Sequence, residues 1–173
     1  LWSLTYASIN LNPYQFDLFE YAKFIILFVI GAITMRGAGC TYNDLVDHDL
    51  DSKVERTKSR PLPAGRVSRK NAKIFLILQL LIGAFVLIQF NMFSIIVGLS
   101  SLLVVAVYPF VKRFSNFPQI VLGLAFSWGA LMGWSVVHEH ISTSAIFLYI
   151  ASFFWVIGYD TIYAHQDKAD DSL

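Results

Sequence analysis

Long stretches without charged side chains divide the chain. Between Lys73 and Lys112 lie 38 residues without Asp, Glu, Lys, Arg or His, whereas one helix crosses a bilayer in about 20 residues. The polar run Gln89-Phe90-Asn91 is the natural break in this stretch. The pattern therefore predicts two membrane-spanning helices, at 71–90 and 92–111.

Three further stretches have a similar character. Residues 114–137 and 141–159 carry no charge, and 21–42 carries two cationic side chains within an otherwise apolar run. Leu1–Ala7 has the pattern of the end of an earlier helix. The fold class that follows is all-α: a multi-span transmembrane helical bundle of about five spans plus a remnant, forming a single domain over 1–173 that is incomplete at both ends.

Composition agrees with a membrane location. Hydrophobic residues make up 56% of the chain and charged residues 14%, against about 25% charged in soluble domains. A net charge of +1 gives no basic excess for nucleic acid. The single cysteine, Cys40, excludes an internal disulfide framework and a multi-cysteine metal site.

The cationic residues lie on one side of the predicted bundle. The connections 43–73, 112–118 and 163–173 carry 11 of the 13 Lys and Arg residues, and the turns around Asn91 and His138–His140 carry none. Positive charge marks the cytoplasmic side of membrane proteins. We therefore expect an integral membrane protein of a bacterial or mitochondrial inner membrane, its charged loops facing the cytoplasm or matrix.

The loop 43–70 begins with what we call the first acidic cluster, Asn43, Asp47 and Asp51. Their i, i+4, i+8 spacing places them on one face if the helix continues. Like charges at that spacing repel unless a cation lies between them. Hard oxygen ligands suit Mg²⁺, which binds a few carboxylates together with substrate phosphate oxygens. The spacing thus favours a metal-bridged phosphate ligand.

A second acidic cluster, within 160–171, emerges on the same side of the membrane. It consists of Asp160, Asp167, Asp170 and Asp171. Six cationic residues that could hold a diphosphate lie near the two clusters in sequence: Arg56, Lys58, Arg60, Arg66, Lys112 and Arg113. Two carboxylate clusters with intervening cations suggest Mg–diphosphate chemistry on a lipid substrate.

Simpler interpretations stay open at this point. A charged loop between two spans is common without any function, and Arg36 could extend to the lipid headgroups or face a polar cavity. A cation or lipid transporter would place its coupling carboxylates near the middle of the membrane. Here the carboxylates of both acidic clusters, except that of Asp160, lie beyond the predicted helix ends. A non-catalytic assembly subunit is a further alternative.

Four motifs, in order, resemble those of the UbiA family of intramembrane aromatic prenyltransferases. They are Asn43-Asp44-x-x-Asp47-x-x-x-Asp51, Arg60-Pro61-Leu62-Pro63-x-Gly65-Arg66, Tyr108-Pro109-x-x-Lys112-Arg113 and Tyr159-Asp160-Thr161-x-Tyr163-Ala164-x-x-Asp167-x-x-Asp170-Asp171. The second and third resemble the branch that acts on 4-hydroxybenzoate. The resemblance implies a nine-helix bundle, of which this chain would hold part.

The resemblance also implies a reaction and its residues. A polyprenyl group would pass from an allylic polyprenyl diphosphate to the ring of 4-hydroxybenzoate, in ubiquinone synthesis, with Mg²⁺ as the cofactor and the lipid bilayer as the surroundings. The metal ligands would be Asn43, Asp47, Asp51, Asp167 and Asp171. The diphosphate would be held by Arg60, Lys112 and Arg113.

For the aromatic acceptor the resemblance implies Arg36, Asp160 and Tyr108, the last also as a cation–π partner of the developing carbocation. The catalytic group would be Asp47, Asp51, Asp167, Asp171 and Lys112. A sister enzyme that uses homogentisate, a naphthoate or haem as acceptor is the alternative within the family.

Overall fold

A computed structural model describes residues 1–11, 17–55, 57–111 and 117–164, and within them every regular element is a helix. The helices are α1 (Trp2–Ile9), α2 (Leu18–Val46), α3 (His48–Asp51), α4 (Arg69–Leu87), α5 (Met92–Val111), α6 (Pro118–His138) and α7 (Thr143–Ala164). Five of them, α2 and α4 to α7, are long and apolar enough to cross a membrane. The prediction of an all-helical, multi-span bundle is confirmed.

Capping side chains account for several helix bounds. Asp17 accepts a hydrogen bond from the backbone N–H of Phe19 at 2.8 Å and starts α2 before the predicted residue 21. Ser68 caps α4 through the N–H of Asn71. Pro118 lies in the first turn of α6, as predicted, where its missing N–H costs no intrahelical bond.

Helix α6 lies at the centre of the packing, against α1, α5 and α7, while α2 packs on α4. The buried core at the junction of α1, α6 and α7 contains Ala7, Trp134 and Ala145. Elsewhere large apolar side chains stay exposed, among them Leu103 at 72% and Trp155 at 77%. Apolar surface on this scale is stable when it faces lipid.

Polar contacts hold one end of the bundle together. The side chain of Asn91, in the turn between α4 and α5, donates to the backbone carbonyls of Ser135 at 3.0 Å and Val136 at 3.1 Å. At the same end, His138 Nε2 lies 3.1 Å from the carbonyl of Ala7. Phe90, in the same turn as Asn91, contacts Phe24 and Phe28 near the start of α2. The other end of α2, with the first acidic cluster, therefore lies at the opposite end of the bundle.

Candidate functional site at the charged end of the bundle

The first acidic cluster spans a break between two helices. Helix α2 ends at Val46, Asp47 adopts a non-helical conformation, and α3 begins at His48. The backbone N–H of Asp47 nevertheless donates to the carbonyl of Asn43 at 2.9 Å, and the N–H of Asp51 donates to that of Asp47 at 2.8 Å. These i to i+4 bonds keep successive members of the cluster one helical turn apart despite the break.

The cluster is largely shielded from solvent. Asp47 is buried, with 8% of its surface exposed, and the side chain of Asp51 is 14% exposed. Burial of a carboxylate is costly without a partner. Positive charge near the two carboxylates lowers that cost, and Arg60 supplies it to Asp51.

Arg60 joins the cluster to the following loop. Its Nη1 donates to Asp44 Oδ1 at 2.9 Å and lies 3.4 Å from Asp51 Oδ2. The loop brings Arg60 there through Thr57, whose hydroxyl donates to the backbone carbonyl of Asp51 at 2.9 Å. A cation predicted to hold diphosphate thus lies beside a predicted metal ligand.

A second ion pair stands apart from the cluster, on the exposed side of α3. Arg69 Nη2 lies 2.6 Å from Asp49 Oδ1, and His48 Nδ1 lies 3.0 Å from the same oxygen. The hydrogen bond with His48 and the Arg69 guanidinium lower the pKa of the Asp49 carboxyl. Because Asp49 is exposed, this pair gains little from charge attraction and belongs to the surface.

A polar group lies deeper in the bundle, where the helix α2 faces its neighbours. The guanidinium carbon of Arg36 lies 5.0 Å from the centroid of the Phe126 ring of α6, a cation–π geometry. The Tyr108 side chain of α5 interacts electrostatically with Asp160 of α7, Arg36 and Asp47. A direct contact in this group joins Arg36 of α2 to Phe126 of α6, and the charges of Arg36 and Asp160 act on Tyr108 over a longer range.

Seven of the predicted site residues fall within the described chain. Four lie around the break between α2 and α3 and in the following loop: Asn43, Asp47, Asp51 and Arg60. The other three lie on the membrane-spanning helices α2, α5 and α7: Arg36, Tyr108 and Asp160. Lys112, Arg113, Asp167 and Asp171, together with Arg56 and Asp170, lie outside the described residues.

The donors of the first acidic cluster suit a hard cation. An amide oxygen and two carboxylates, one turn apart, match the oxygen ligands that Mg²⁺ prefers. Among the described residues, no three or more His, Cys, Asp or Glu side chains are grouped so as to hold a metal ion. The three residues fit part of an Mg²⁺ site, and Asp167 and Asp171 remain its predicted other part.

Two contributors were not predicted from sequence. Phe126 is one of fifteen Phe residues, in an uncharged span, and nothing in the sequence distinguishes it from lipid-facing aromatic residues. Asp44 lies within the recognised motif, but only its pairing with Arg60 gives it a partner. Charge complementarity between 43–51 and 53–60 is the signal that could have suggested such a pair.

Comparison with known proteins assigns the chain to a family. The sequence model of the UbiA prenyltransferase family matches residues 1–173. The chain belongs to the UbiA prenyltransferase family. The structure is also similar to the apo structure of a UbiA homolog from Aeropyrum pernix K1, with a TM-score of 0.74 and 27% identity over 95% of this chain and 62% of that one.

Curated UbiA relatives are considerably longer than this chain. It is 53% identical over 146 residues to a protein of Drosophila pseudoobscura pseudoobscura, covering 84% of this chain and 37% of the fly protein. It is 47% identical over 172 residues to a protein of Arabidopsis thaliana, covering 99% and 41%. Both relatives are named "4-hydroxybenzoate polyprenyltransferase, mitochondrial". The chain thus spans about two fifths of their length.

Proposed function

We propose that this chain forms the metal–diphosphate and acceptor-binding part of a 4-hydroxybenzoate polyprenyltransferase that acts in ubiquinone synthesis. The main support for the proposal is the arrangement of shielded carboxylates beside a cation at one end of a membrane bundle, where Arg60 lies 3.4 Å from Asp51 and Asp47 is buried. Further along the same helix, the guanidinium of Arg36 lies against the ring of Phe126. The names of the relatives support the choice of substrates.

The charges of the site residues indicate how the prenyl donor would bind. Asn43, Asp47 and Asp51 would hold Mg²⁺ from one side, and Asp167 and Asp171 from the other. When bound, Mg²⁺ neutralises the diphosphate and stabilises it as a leaving group. Arg60, Lys112 and Arg113 add positive charge where the departing diphosphate becomes more negative.

The position of Arg36 along α2 indicates where the acceptor would bind. Arg36 precedes Asn43 by seven residues, which places it about 10 Å further along the helix. Its guanidinium matches the carboxylate of 4-hydroxybenzoate in charge and planar geometry. The acceptor ring would then lie between the level of Arg36 and the first acidic cluster, and Tyr108 would face it.

The reaction can be written with these groups in place. The bond between the allylic carbon and the diphosphate oxygen breaks, and both electrons leave with the diphosphate. The ring carbon ortho to the hydroxyl bonds to the allylic cation, whose charge the face of Tyr108 stabilises. Loss of the proton from that ring carbon restores the aromatic ring.

An acceptor panel tests the proposal. Membranes containing the chain, and membranes in which residues 1–173 replace the matching segment of the Arabidopsis thaliana relative, receive a labelled prenyl diphosphate and one acceptor at a time. Product from 4-hydroxybenzoate in preference to homogentisate, a naphthoate or haem supports the proposal, and preference for another acceptor contradicts it. The unaltered Arabidopsis protein is the positive control.

A further inference from the structure

Asp44, which has no role in the proposed ligand sites, forms an ion pair with Arg60. Asp44 follows Asn43 directly, so it projects about 100° away from the face that Asn43, Asp47 and Asp51 share. Its carboxylate accepts from Arg60 Nη1 at 2.9 Å, while the distance from the same nitrogen to Asp51 is 3.4 Å. Asp44 therefore pairs with Arg60, and it does not lie on the helix face that would bind the metal.

The loop does not depend on this pair for its shape. The backbone N–H of Arg60 donates to the carbonyl of Thr57, and its carbonyl accepts from the N–H of Ala64, each at 2.9 Å. Thr57 ties the loop to Asp51 through a separate hydrogen bond. The Asp44 contact thus acts on the long side chain of Arg60, which loses much rotamer freedom when it is held in one place.

We propose that Asp44 is a positioning residue that holds the Arg60 guanidinium at the diphosphate side of the first acidic cluster. This inference rests on the proposed function, in which Arg60 binds the diphosphate of the prenyl donor. Arg60 bridges two carboxylates through one nitrogen, and the shorter bond goes to Asp44. Among the described residues, the side-chain hydrogen bonds of Arg60 use Nη1 alone, so the other nitrogens of the planar guanidinium could donate to phosphate oxygens.

The pairing with Asp44 explains why Arg60 lies beside two carboxylates and not beside Asp51 alone. If Asp51 turns towards Mg²⁺, a guanidinium held by Asp51 alone would lose its anchor when the prenyl diphosphate arrives. Asp44 stays bound to Arg60 in that event, because it is not among the metal ligands. Arg60 then meets the diphosphate in a fixed orientation, and less entropy is lost on binding.

A double-mutant cycle tests this role by turnover. Asp44→Asn removes the charge at nearly constant size, and we expect it to raise the KM for the prenyl diphosphate about tenfold, the loss typical of one charge-assisted hydrogen bond. The KM for 4-hydroxybenzoate should stay unchanged, and Asp44→Glu should restore most of the loss. In an Arg60→Ala background, Asp44→Asn should have no further effect. An equal effect in both backgrounds, or a shift in the Mg²⁺ requirement instead of the KM, overturns the proposal.

A labelling experiment on membranes that contain the chain or its variants needs no turnover. Phenylglyoxal modifies exposed guanidinium groups, and peptide mass spectrometry gives the rate at Arg60 relative to Arg66 of the same loop. Asp44→Asn should raise that rate about threefold, because the ion pair no longer holds Arg60. The matched control, Asp49→Asn, removes a comparable pair with Arg69 and should leave Arg60 unchanged. An unchanged rate at Arg60 in Asp44→Asn overturns the proposal.

The two experiments separate this inference from the proposed function. Mg²⁺ with inorganic pyrophosphate should protect Arg60 from phenylglyoxal in the unaltered protein more than in Asp44→Asn. A protein that shows these labelling changes but transfers no prenyl group contradicts the proposed function and retains the role of Asp44. A protein that prenylates 4-hydroxybenzoate with an Arg60 indifferent to Asp44→Asn retains the function and loses this inference.

Discussion

At the scale of residues, the proposed function assigns the choice of acceptor to one side chain, Arg36. Arg36 is the charged residue of α2 that contacts an aromatic ring of another helix, with 5.0 Å between its guanidinium carbon and the Phe126 centroid. A guanidinium within a membrane span is expensive unless it has a partner. The aromatic face supplies one partner, and the carboxylate of an acceptor would supply the second.

Arg36→Ala should therefore raise the KM for 4-hydroxybenzoate at least about tenfold and leave the KM for the prenyl diphosphate nearly unchanged. Phe126→Leu, which removes the cation–π partner, should act in the same direction by about threefold. Phe147→Leu, on an exposed part of α7, is the control. A change in the KM for the prenyl diphosphate alone would assign Arg36 to the phosphate site.

Asp47 is the member of the first acidic cluster for which substitution is the most informative, because it is buried at the helix break. Asp47→Asn should lower turnover about 100-fold or more, since loss of even an outer-shell partner of a metal commonly costs 10- to 100-fold. The quantity of protein in the membrane should stay constant. Asp49→Asn, two residues away and exposed, should retain turnover, and equal losses in both variants would contradict a metal role for Asp47.

At the scale of helices, close approach between α1 and α6 depends on a glycine. A Cβ added to Gly133 would lie 2.7 Å from the backbone nitrogen of Leu4 and 2.9 Å from Ser3 Cβ, whereas one added to Gly129 meets nothing within 4 Å. The two positions lie on the same helix, so they form a matched pair. A methyl group at Gly133 would push α1 away from α6, whereas a methyl group at Gly129 would not.

Gly133→Ala should destabilise the protein by about 1–3 kcal/mol, because backbone atoms of α1 must move. Gly129→Ala should be neutral or stabilising, since Ala favours a helix over Gly by about 1 kcal/mol. Thermal unfolding in detergent, followed by size-exclusion chromatography, measures both variants. Equal unfolding temperatures would show that α1 does not pack on α6 as described.

Helices were predictable from sequence to the extent that their bounds depend on charge and capping. The span 92–111 agrees with α5 at both ends, because polar residues and the charged pair Lys112-Arg113 flank it. Helix α2 instead continues past the predicted residue 42 to Val46, because polar residues continue the helix outside the apolar stretch. Apolar patterning locates the membrane, and it does not locate the end of a helix.

The site was predictable where one element carries the pattern and not where several elements meet. The i, i+4, i+8 spacing identified Asn43, Asp47 and Asp51 because they follow one another along the chain. The contact between Arg36 and Phe126 joins α2 to α6, 90 residues apart in sequence. Nothing in either segment alone specifies that pairing, which depends on how the helices pack.

At the scale of the whole molecule, the described bundle has two chemically different ends. Asn91 and His138 lie at one end and the first acidic cluster at the other. Which end faces the cytoplasm or matrix is a prediction from the distribution of Lys and Arg.

Single cysteines test that orientation in a Cys40→Ser background. We expect Ser59→Cys and Gln89→Cys, both at exposed positions, to react with an impermeant thiol reagent from opposite sides of the membrane. The Ser59 position should react from the cytoplasmic or matrix side. Reaction of both positions from the same side would contradict the arrangement of the spans.

The proposed reaction joins a prenyl group to a ring carbon of 4-hydroxybenzoate. It is tested most directly by the mass of the product formed from acceptor deuterated at both ring carbons ortho to the hydroxyl, in membranes in which residues 1–173 replace the matching segment of the Arabidopsis thaliana relative. We expect a prenylated product that retains one deuterium, because carbon–carbon bond formation at an ortho carbon expels the other. A product that retains both deuterium atoms, or no product where the unaltered Arabidopsis protein forms one, would contradict the proposed reaction.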